Sequence, residues 1–302
     1  MKWMSDEDVT RLQQALDRPD FSGTRYRLIR EIARGGMGAV YLAEDTELER
    51  KVAVKVVHPT DASEHAAARM LREARIMAQL EHPGIVPVHD AGPLPDGRVF
   101  YAMKFVDGRP LAQHPSDMSL AESLRLFQKI CDAVAFAHSR GVVHRDLKPE
   151  NIMVGAFGEV LVMDWGAAVL LDGPGEPAGT VIGTPGYMSP EQASGQAGVD
   201  GRADVYALGA ILAFLIRDRA QVPAALESIC RKAMTHDRDQ RYSSALELRA
   251  DIASFLDAMP VSAHHETVVE RLIRVAARHR TALLLILAYL VMRTLIFLWA
   301  RR

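Results

Sequence analysis

The 302-residue chain has few cysteines, no apolar leader and no acidic residue near its carboxyl end, and each shortage excludes a class of protein. Only Cys131 and Cys230 occur, each within an amphipathic helical pattern, which favours buried thiols in a reducing compartment over a disulfide framework or metal site. The first 25 residues are charged and lack an apolar run, so the sequence predicts no signal peptide. A composition of 49% hydrophobic and 25% charged residues is typical of a folded globular protein.

Charge is distributed unevenly along the chain. The net charge is −2, but residues 271–302 contain seven arginines and no acid, which leaves −9 for residues 1–270. A mildly acidic body with a basic tail argues against nucleic acid as a partner of the body. The length is sufficient for a large core or for two lobes.

Three chemically distinct polar groups lie within one stretch, His144 to Asn151, which reads HRDLKPEN. Asp146 could orient and deprotonate a hydroxyl, Lys148 could offset charge on a moving phosphate, and Asn151 could hold a metal. A packed core does not need these groups together in a loop. The pattern therefore favours phosphoryl transfer over a polar turn between two elements.

These eight residues match the catalytic loop of protein kinases, and residues 26–256 resemble bacterial serine/threonine protein kinases of the eukaryotic-like (Hanks) type. The resemblance implies an α+β, two-lobed protein-kinase fold, with a β-rich lobe to about Met103 and an α-rich lobe to about Met259. It implies ATP and Mg²⁺ in the cleft and transfer of the γ-phosphate to Ser or Thr hydroxyls of protein substrates. Asp146 and Lys148 are then catalytic, and Asn151 is a metal ligand.

The glycine-rich stretch 33–40 resembles the kinase loop that covers the phosphates. Gly35 and Gly38 match the second and third glycines of the family, and Ala33 stands at the usual first. A hairpin turn would explain the glycines alone equally well, but their place between two strand patterns disfavours a dinucleotide-binding loop. With Met103 at the gatekeeper position and the adenine hinge after it, the resemblance implies an ATP site formed by Ile32, Ala33, Arg34, Gly35, Gly36, Met37, Gly38, Val40, Ala53, Lys55, Met103, Phe105 and Asp107.

Lys55 lies on a predicted strand, where it matches the family lysine that contacts the α- and β-phosphates. The next helical pattern carries Glu73 on an otherwise apolar stripe, and a buried carboxylate needs a cation. We therefore predict a catalytic ion pair between Lys55 and Glu73. A surface pair of Glu73 with Arg69 or Arg72 is the alternative.

The segment from Asp164 onward resembles the metal-binding and activation segments of the family. Asp164 ends an apolar strand and is expected to hold Mg²⁺ together with Asn151. Trp165 replaces the usual Phe, so we expect an inactive flip of this segment to be harder. Thr184 is expected to contact Asp146 and Lys148 as a peptide-positioning residue.

Two further expectations concern the same region. Glu191 should pair with Arg241, which lies far along the chain. Thr180 is the only hydroxyl-bearing residue between Gly166 and Gly183, and Arg145 precedes the catalytic aspartate. Since kinases with Arg there usually need a phosphate on the activation segment, Thr180 is the predicted activating phosphosite. Thr184 is the alternative site, although it should be occupied by its contacts with Asp146 and Lys148. A third interpretation is that Thr180 is simply a solvated loop residue.

The sequence departs most from the family in the α-rich lobe. Only residues 217–222 separate a buried central helix from a helix whose first position is predicted at Pro223. The family's helix G, a common substrate-docking element, has no room there. The departure puts substrate choice in doubt but leaves the ATP chemistry untouched.

The carboxyl end predicts a membrane anchor. Residues 281–300 contain one charge, Arg293, and are long enough to span about 30 Å of hydrocarbon. The implied organisation is an extension (1–25), a kinase domain (26–259), a basic juxtamembrane linker (260–280) and a single transmembrane helix (281–300) in the inner membrane, with the kinase in the cytoplasm. A helix lying in the membrane interface or on the kinase is the alternative.

Two rival functions remain. A pseudokinase scaffold is weakly favoured by Ala33, Trp165 and the missing helix, but the complete set of catalytic groups argues against it. A small-molecule kinase is disfavoured by Thr184 and the segment Ser189-Pro190-Glu191, which resemble the peptide-binding end of the family's activation segment and favour a peptide substrate. The expected partners are thus protein substrates, the membrane and a second copy for autophosphorylation, without nucleic acid.

Overall fold

The computed structural model describes residues 18–35, 38–58, 64–113, 118–173, 179–264, 271 and 280–300. The strands are β1 Tyr26–Gly35, β2 Gly38–Asp45, β3 Arg50–Val56, β4 Val88–Pro93, β5 Val99–Lys104, β6 Gly108–Pro110, β7 Val142–Val143, β8 Ile152–Gly155, β9 Val160–Val162 and β10 Val169–Leu170. The α-helices are α1 Glu64–Gln79, α2 Leu120–Ser139, α3 Pro190–Ala193, α4 Gly201–Ile216, α5 Ala224–Ala233, α6 Ala245–Leu256 and α7 Arg280–Ala300.

A five-stranded antiparallel sheet, in the order β1-β2-β3-β5-β4, forms the amino-terminal lobe. Its outer face is covered by Phe21 and Tyr26, both packed edge-on against Phe100. Its inner face packs against the apolar stripe of α1, which includes Met70 and Met77. Residues of both faces are buried, so the sheet separates a small outer cluster from the main core.

The apolar pattern of residues 85–88 predicts a strand there. This prediction is wrong, because β4 begins only at Val88. Pro87 has no N–H to donate to a ladder, while its carbonyl accepts from the Lys104 amide at 3.1 Å. Ile85 instead forms an isolated bridge with Val162 of the other lobe. The segment before β4 therefore links the lobes instead of extending the sheet.

The carboxyl-terminal lobe is helical, with α2, α4, α5 and α6 packed on one another. The spacing of Ser119 and Glu122 predicts a capping box at the start of a helix. α2 begins with this box, in which each of the two side chains accepts the other residue's backbone N–H. α4 is the predicted buried central helix. The apolar run of residues 205–216 predicts that this helix begins at Asp204, but α4 begins at Gly201 with Asp200 as its N-cap. The two cysteines, Cys131 and Cys230, are buried in this lobe, as predicted.

The short connection between α4 and α5 is confirmed, since no helix lies within residues 217–222, all of which the structure describes. Pro223 is the N-cap residue of α5 and not its first helical residue, one position from the prediction.

The carboxyl-terminal helix α7 spans 21 residues. Within the described part of the chain, no helix meets the combined requirements of length and apolarity for crossing a membrane. An N-cap at Ser5 and apolar residues at helical spacing after it predict a short amino-terminal helix that ends before Pro19. Residues 1–17, which include most of this predicted helix, and most of the predicted linker lie outside the described residues.

Candidate active site

The catalytic loop, residues 144–151, follows α2 and β7 in the carboxyl-terminal lobe, which forms the lower side of the cleft. It is anchored by Asp204 of helix α4. The Asp204 carboxylate accepts hydrogen bonds from the backbone N–H groups of His144 and Arg145, both at 2.8 Å. It also contacts His138 Nε2 at 2.8 Å. Burial opposes the charge of Asp204, but these donors outweigh it and lower its pKa. The loop backbone is therefore tied to a buried charge in the lobe's central helix.

His144 connects the catalytic loop to the segment that ends in Asp164. Its Nδ1 accepts from the Asp146 backbone N–H at 3.3 Å, so in the neutral ring Nε2 carries the proton and donates to the Met163 carbonyl at 3.0 Å. The imidazole lies 4.6 Å from the Trp165 ring. This buried histidine thus sets the spacing between two stretches of functional residues.

Asp146, Lys148 and Thr184 form a closed triangle of hydrogen bonds. The Thr184 hydroxyl donates to Asp146 Oδ1 at 2.6 Å and accepts from Lys148 Nζ at 2.7 Å. Lys148 Nζ also contacts Asp146 Oδ2 at 2.9 Å. The predicted contact of Thr184 with both groups is confirmed. A hydroxyl in this place meets a carboxylate that can accept its proton and an ammonium that offsets negative charge.

Asn151 and the segment that carries Asp164 are joined by a backbone hydrogen bond. The side-chain amide nitrogen of Asn151 donates to the Asp146 backbone carbonyl at 2.8 Å, which orients the side chain. The backbone carbonyl of Asn151 accepts from the Met163 backbone N–H at 2.8 Å. That backbone bond brings Asn151 next to the residue before Asp164. Amide and carboxylate oxygens are ligands that Mg²⁺ accepts, so these residues fit the metal that the family implies.

The metal site would be incomplete without further ligands. Among the described residues, no group of three or more His, Cys, Asp or Glu side chains could enclose a metal ion. Mg²⁺ is commonly bound by one or two carboxylates together with water and substrate phosphates. Such a shared site agrees with a metal that enters with a nucleotide.

Lys55 lies between two carboxylates in the amino-terminal lobe, which forms the upper side of the cleft. Its Nζ contacts Glu73 Oε1 at 2.8 Å and Oε2 at 3.0 Å, so the predicted pair with Glu73 is confirmed and the surface alternative is excluded. Lys55 also contacts Asp164 Oδ1 at 3.1 Å. Burial alone would lower the pKa of Lys55, but the two carboxylates outweigh it and raise that pKa. The ammonium is therefore charged at neutral pH.

Asp164 bridges the two lobes through this lysine. It adopts a left-handed backbone conformation, with φ of 57°, and its Oδ1 accepts a hydrogen bond from Lys55 Nζ. Partial burial opposes its ionisation, but Lys55 outweighs this effect and lowers the pKa of Asp164. A carboxylate kept ionised is what a metal ligand requires.

The strands of the upper lobe bring the remaining predicted nucleotide residues together. β1 and β2 form the hairpin with Ala33 opposite Val40, and Ala53 lies opposite Met103 across β3 and β5. A Cβ at Gly38 would lie 2.2 Å from the Val56 carbonyl oxygen, so only glycine fits this approach of β2 to β3.

Of the other residues predicted to form the ATP site, the structure describes all but two. Gly36 and Met37 lie outside the described residues. Ile32, Arg34 and Gly35 lie on β1, while Phe105 and Asp107 follow β5 in the hinge. The backbone carbonyl of Asp107 accepts a hydrogen bond from the Ala156 backbone N–H at 3.2 Å. This bond connects the hinge to the carboxyl-terminal lobe.

Trp165 is fully buried, and its ring is held on two sides. The indole N–H points to the Val162 carbonyl at 3.4 Å, and His144 packs against the ring. Only 1% of Trp165 is exposed, so moving it outward would open a large cavity. This packing agrees with the expectation that the segment does not flip readily.

The activation segment ends in a buried ion pair. Arg241 forms two parallel bonds to the Glu191 carboxylate, at 2.7 and 2.8 Å, as predicted. Gln192, which sequence reasoning missed, donates to the carbonyls of Arg145 and Ile182 at 2.7 and 3.0 Å. Its position three residues after Ser189, in a capping box, was the available signal.

This arrangement of two lobes, a bound catalytic loop and a lysine shared between two acids defines a protein kinase domain. The sequence matches the family model described as "Protein kinase domain" over residues 26–289. The chain therefore belongs to the protein kinase family.

More particular similarities agree with this assignment. The chain is similar to the serine/threonine-protein kinase PknD of Chlamydia felis, with 36% identity over 299 residues, covering 78% of this chain and 31% of that protein. PknD of Protochlamydia amoebophila is 34% identical over 296 residues, covering 77% and 30%. The crystal structure of the Mycobacterium tuberculosis PknI kinase domain superposes with a TM-score of 0.59 at 28% identity, covering 76% of this chain and 96% of that domain. The chain spans about a third of the length of the curated relatives it matches.

Proposed function

We propose that this protein is a serine/threonine protein kinase that transfers the γ-phosphate of ATP to hydroxyls of protein substrates. The observation that carries the proposal is the environment of the Thr184 hydroxyl, bonded to both Asp146 and Lys148. A substrate hydroxyl in the same environment would meet the two groups that its reaction needs. The named serine/threonine kinases among the relatives support this substrate class.

The chain's own residues would divide the work as follows. Asp146 orients the attacking hydroxyl and accepts its proton, and Lys148 offsets charge near it. Lys55, fixed by Glu73, holds a positive charge where nucleotide phosphates would lie, and Asn151 with Asp164 would hold Mg²⁺. ATP with Mg²⁺ supplies the transferable phosphoryl group when bound. Catalysis is thus chiefly positioning and electrostatics.

Radiolabel transfer from ATP to a generic protein acceptor tests the proposal. Removing the carboxylate that accepts the proton, in Asp146→Asn, should lower the rate by about 10²–10³. Asp257→Asn, the same change at an exposed carboxyl-terminal cap, should label the acceptor at the wild-type rate. Equal labelling by wild type and Asp146→Asn would overturn the proposal, and no transfer by the wild type would favour a pseudokinase scaffold.

Thr180 is proposed as the activating phosphosite. Thr180 is exposed and lines, together with Arg145, a cavity of about 170 Å³. A phosphate there would meet a guanidinium that lies directly before the catalytic aspartate. Mass spectrometry after incubation with ATP should find this phosphate, and Thr180→Ala should lose most of its activity. Full activity of that variant would contradict the assignment.

A second copy is proposed as the enzyme that modifies Thr180. Mixing a tagged, inactive Asp146→Asn protein with the active wild type distinguishes the two routes. Label on the inactive copy supports transfer between copies, whereas label confined to the wild type means that each copy modifies itself.

We also propose that α7 anchors the chain in the inner membrane, with the kinase domain in the cytoplasm. The proposal rests on the sequence, since no helix in the described part of the chain qualifies as a membrane span. Leu284, Tyr289 and Trp299 are among its exposed large apolar side chains, which favour a cover of lipid. Arg293 is the main cost, roughly 2.5–3.5 kcal/mol at a helix centre, which the surrounding leucines can outweigh.

Carbonate extraction of membranes tests this anchor. A spanning helix should remain in the pellet, and a variant that ends before Arg280 should move to the supernatant. Release of the full chain by carbonate would support a helix lying in the interface and would overturn the spanning arrangement.

A further inference from the structure

A tyrosine hydroxyl reaches the ion pair at the upper side of the cleft. Tyr101 lies on β5 directly opposite Lys55 of β3, and its hydroxyl donates to Glu73 Oε1 at 2.8 Å. Lys55 Nζ lies 5.7 Å from the centre of the tyrosine ring. Only 1% of Tyr101 is exposed, and none of the motifs used to assign the site includes it.

Glu73 depends on this hydroxyl because its lysine partner is shared. In the part of the chain that the structure describes, its side chain bonds Lys55 and Tyr101. The Lys55 ammonium is also drawn toward Asp164 at 3.1 Å. α1 also packs against the sheet through apolar side chains such as Met70 and Met77, and such contacts are not directional. The Tyr101 hydroxyl is a second donor to the Glu73 carboxylate. It keeps Glu73 in place if Lys55 moves toward Asp164, and it opposes a rotation of α1.

The hydroxyl is suited to act as a permanent donor. Burial, together with the Glu73 carboxylate, raises the pKa of Tyr101 well above its ordinary value, so the proton is retained throughout the physiological range. A buried carboxylate oxygen that lost this donor would keep its desolvation cost without the bond.

We propose that Tyr101 is a positioning residue that fixes Glu73 and α1 against β5, and so holds Lys55 where the nucleotide phosphates are bound. The inference rests on the proposed kinase function. It assigns to β5 a part in aligning the site that is separate from its part in forming the hinge.

Tyr101→Phe tests the inference because it keeps the ring and removes only the hydroxyl. Since a bond to a charged group is lost, kcat should fall about tenfold while KM for ATP stays within about threefold. Tyr242→Phe is the matched control, because Tyr242 is also buried and donates to a carboxylate, Asp251, at 2.7 Å. That variant should retain the wild-type kcat. Wild-type kcat in Tyr101→Phe would overturn the inference.

A second background separates positioning from general packing. If Tyr101 acts through Glu73, adding Tyr101→Phe to Glu73→Gln should lower kcat by less than about twofold further. A further tenfold loss in that background would mean that the tyrosine acts by another route, and would overturn the inference.

Hydrogen exchange gives a readout that does not depend on phosphoryl transfer. Amides of α1 should exchange faster in Tyr101→Phe than in the wild type, while those of α6 stay unchanged. Unchanged exchange in α1 would overturn the inference. Absence of phosphate transfer by the wild-type protein would count against the proposed function alone. The exchange rates of the α1 amides would still test whether Tyr101 positions α1.

Discussion

The two sides of the cleft hold their functional groups by different means. On the lower side, backbone amides of the catalytic loop bond one buried carboxylate, Asp204, on the helix at the centre of its lobe. On the upper side, Lys55 is held by side chains from α1 and from the start of the activation segment. The lower geometry depends on one rigid helix, whereas the upper geometry depends on elements that can shift relative to one another. Loss of a lower contact should therefore affect folding and rate together, and loss of an upper contact chiefly the rate.

The largest effect is expected from Asp204→Ala. It leaves the buried N–H groups of His144 and Arg145 without their acceptor, at about 1–3 kcal/mol each, and frees the catalytic loop. We expect the free energy of unfolding to fall by about 3 kcal/mol and kcat by about 10² or more. Urea denaturation and phosphate transfer measure the two quantities.

Asp251→Ala is the matched control for this prediction. Asp251 is also a buried aspartate on a helix, and it accepts the backbone N–H groups of Ser262 and Ala263 at 2.8 and 3.1 Å. A similar loss of stability with a wild-type rate is expected. A wild-type rate in Asp204→Ala would refute the assignment of the loop's anchor to this carboxylate.

A smaller effect, confined mainly to the rate, is expected from Glu73→Gln. The amide keeps the size of the side chain but removes the charge that holds Lys55, leaving the ammonium to Asp164. We expect kcat to fall about 10- to 100-fold and the free energy of unfolding to fall by less than about 2 kcal/mol. Glu81→Gln, an exposed position just after α1, should match the wild type. Equal losses of stability in Glu73→Gln and Asp204→Ala would show that the upper and lower sides of the cleft do not differ in how they hold their functional groups.

The smallest effect is expected in the acid dependence of stability. The pKa of Asp204 is lowered in the folded protein, so its contribution is fully present above the ordinary aspartate pKa and is lost as the pH falls through the lowered value. Between pH 7 and about pH 3, the wild type should therefore lose more stability than Asp204→Asn. Urea unfolding at both pH values measures this difference. Parallel losses would show that another acid governs the transition.

Sequence alone predicted the contacts for which residue type and spacing carry the chemistry. The pair Lys55–Glu73 follows from an acid on an apolar helical stripe, and the short link after α4 follows from the spacing of two helical patterns. The pair Glu191–Arg241 was expected from the resemblance to the kinase family, not from a local pattern. Asp204 was predicted only as the start of a helix, because its bonds to residues 144 and 145 span about sixty positions and leave no periodic trace. Tyr101 was missed for the same reason, since a tyrosine on a buried strand is ordinary until the fold brings a carboxylate to its hydroxyl.

The burial of both native cysteines has a consequence for chemical labelling. Desolvation raises the pKa of Cys131 well above its ordinary value and that of Cys230 to about 12. At neutral pH the thiolate fraction of Cys230 is therefore roughly 10⁻⁵, and the thiolate is the form that maleimides attack. Because the chain has no other cysteine, one introduced at an exposed site, such as Phe157 at the tip of the β8–β9 turn, would be the fast-reacting thiol. A fluorophore or spin label could then be placed at a single position without first replacing Cys131 or Cys230.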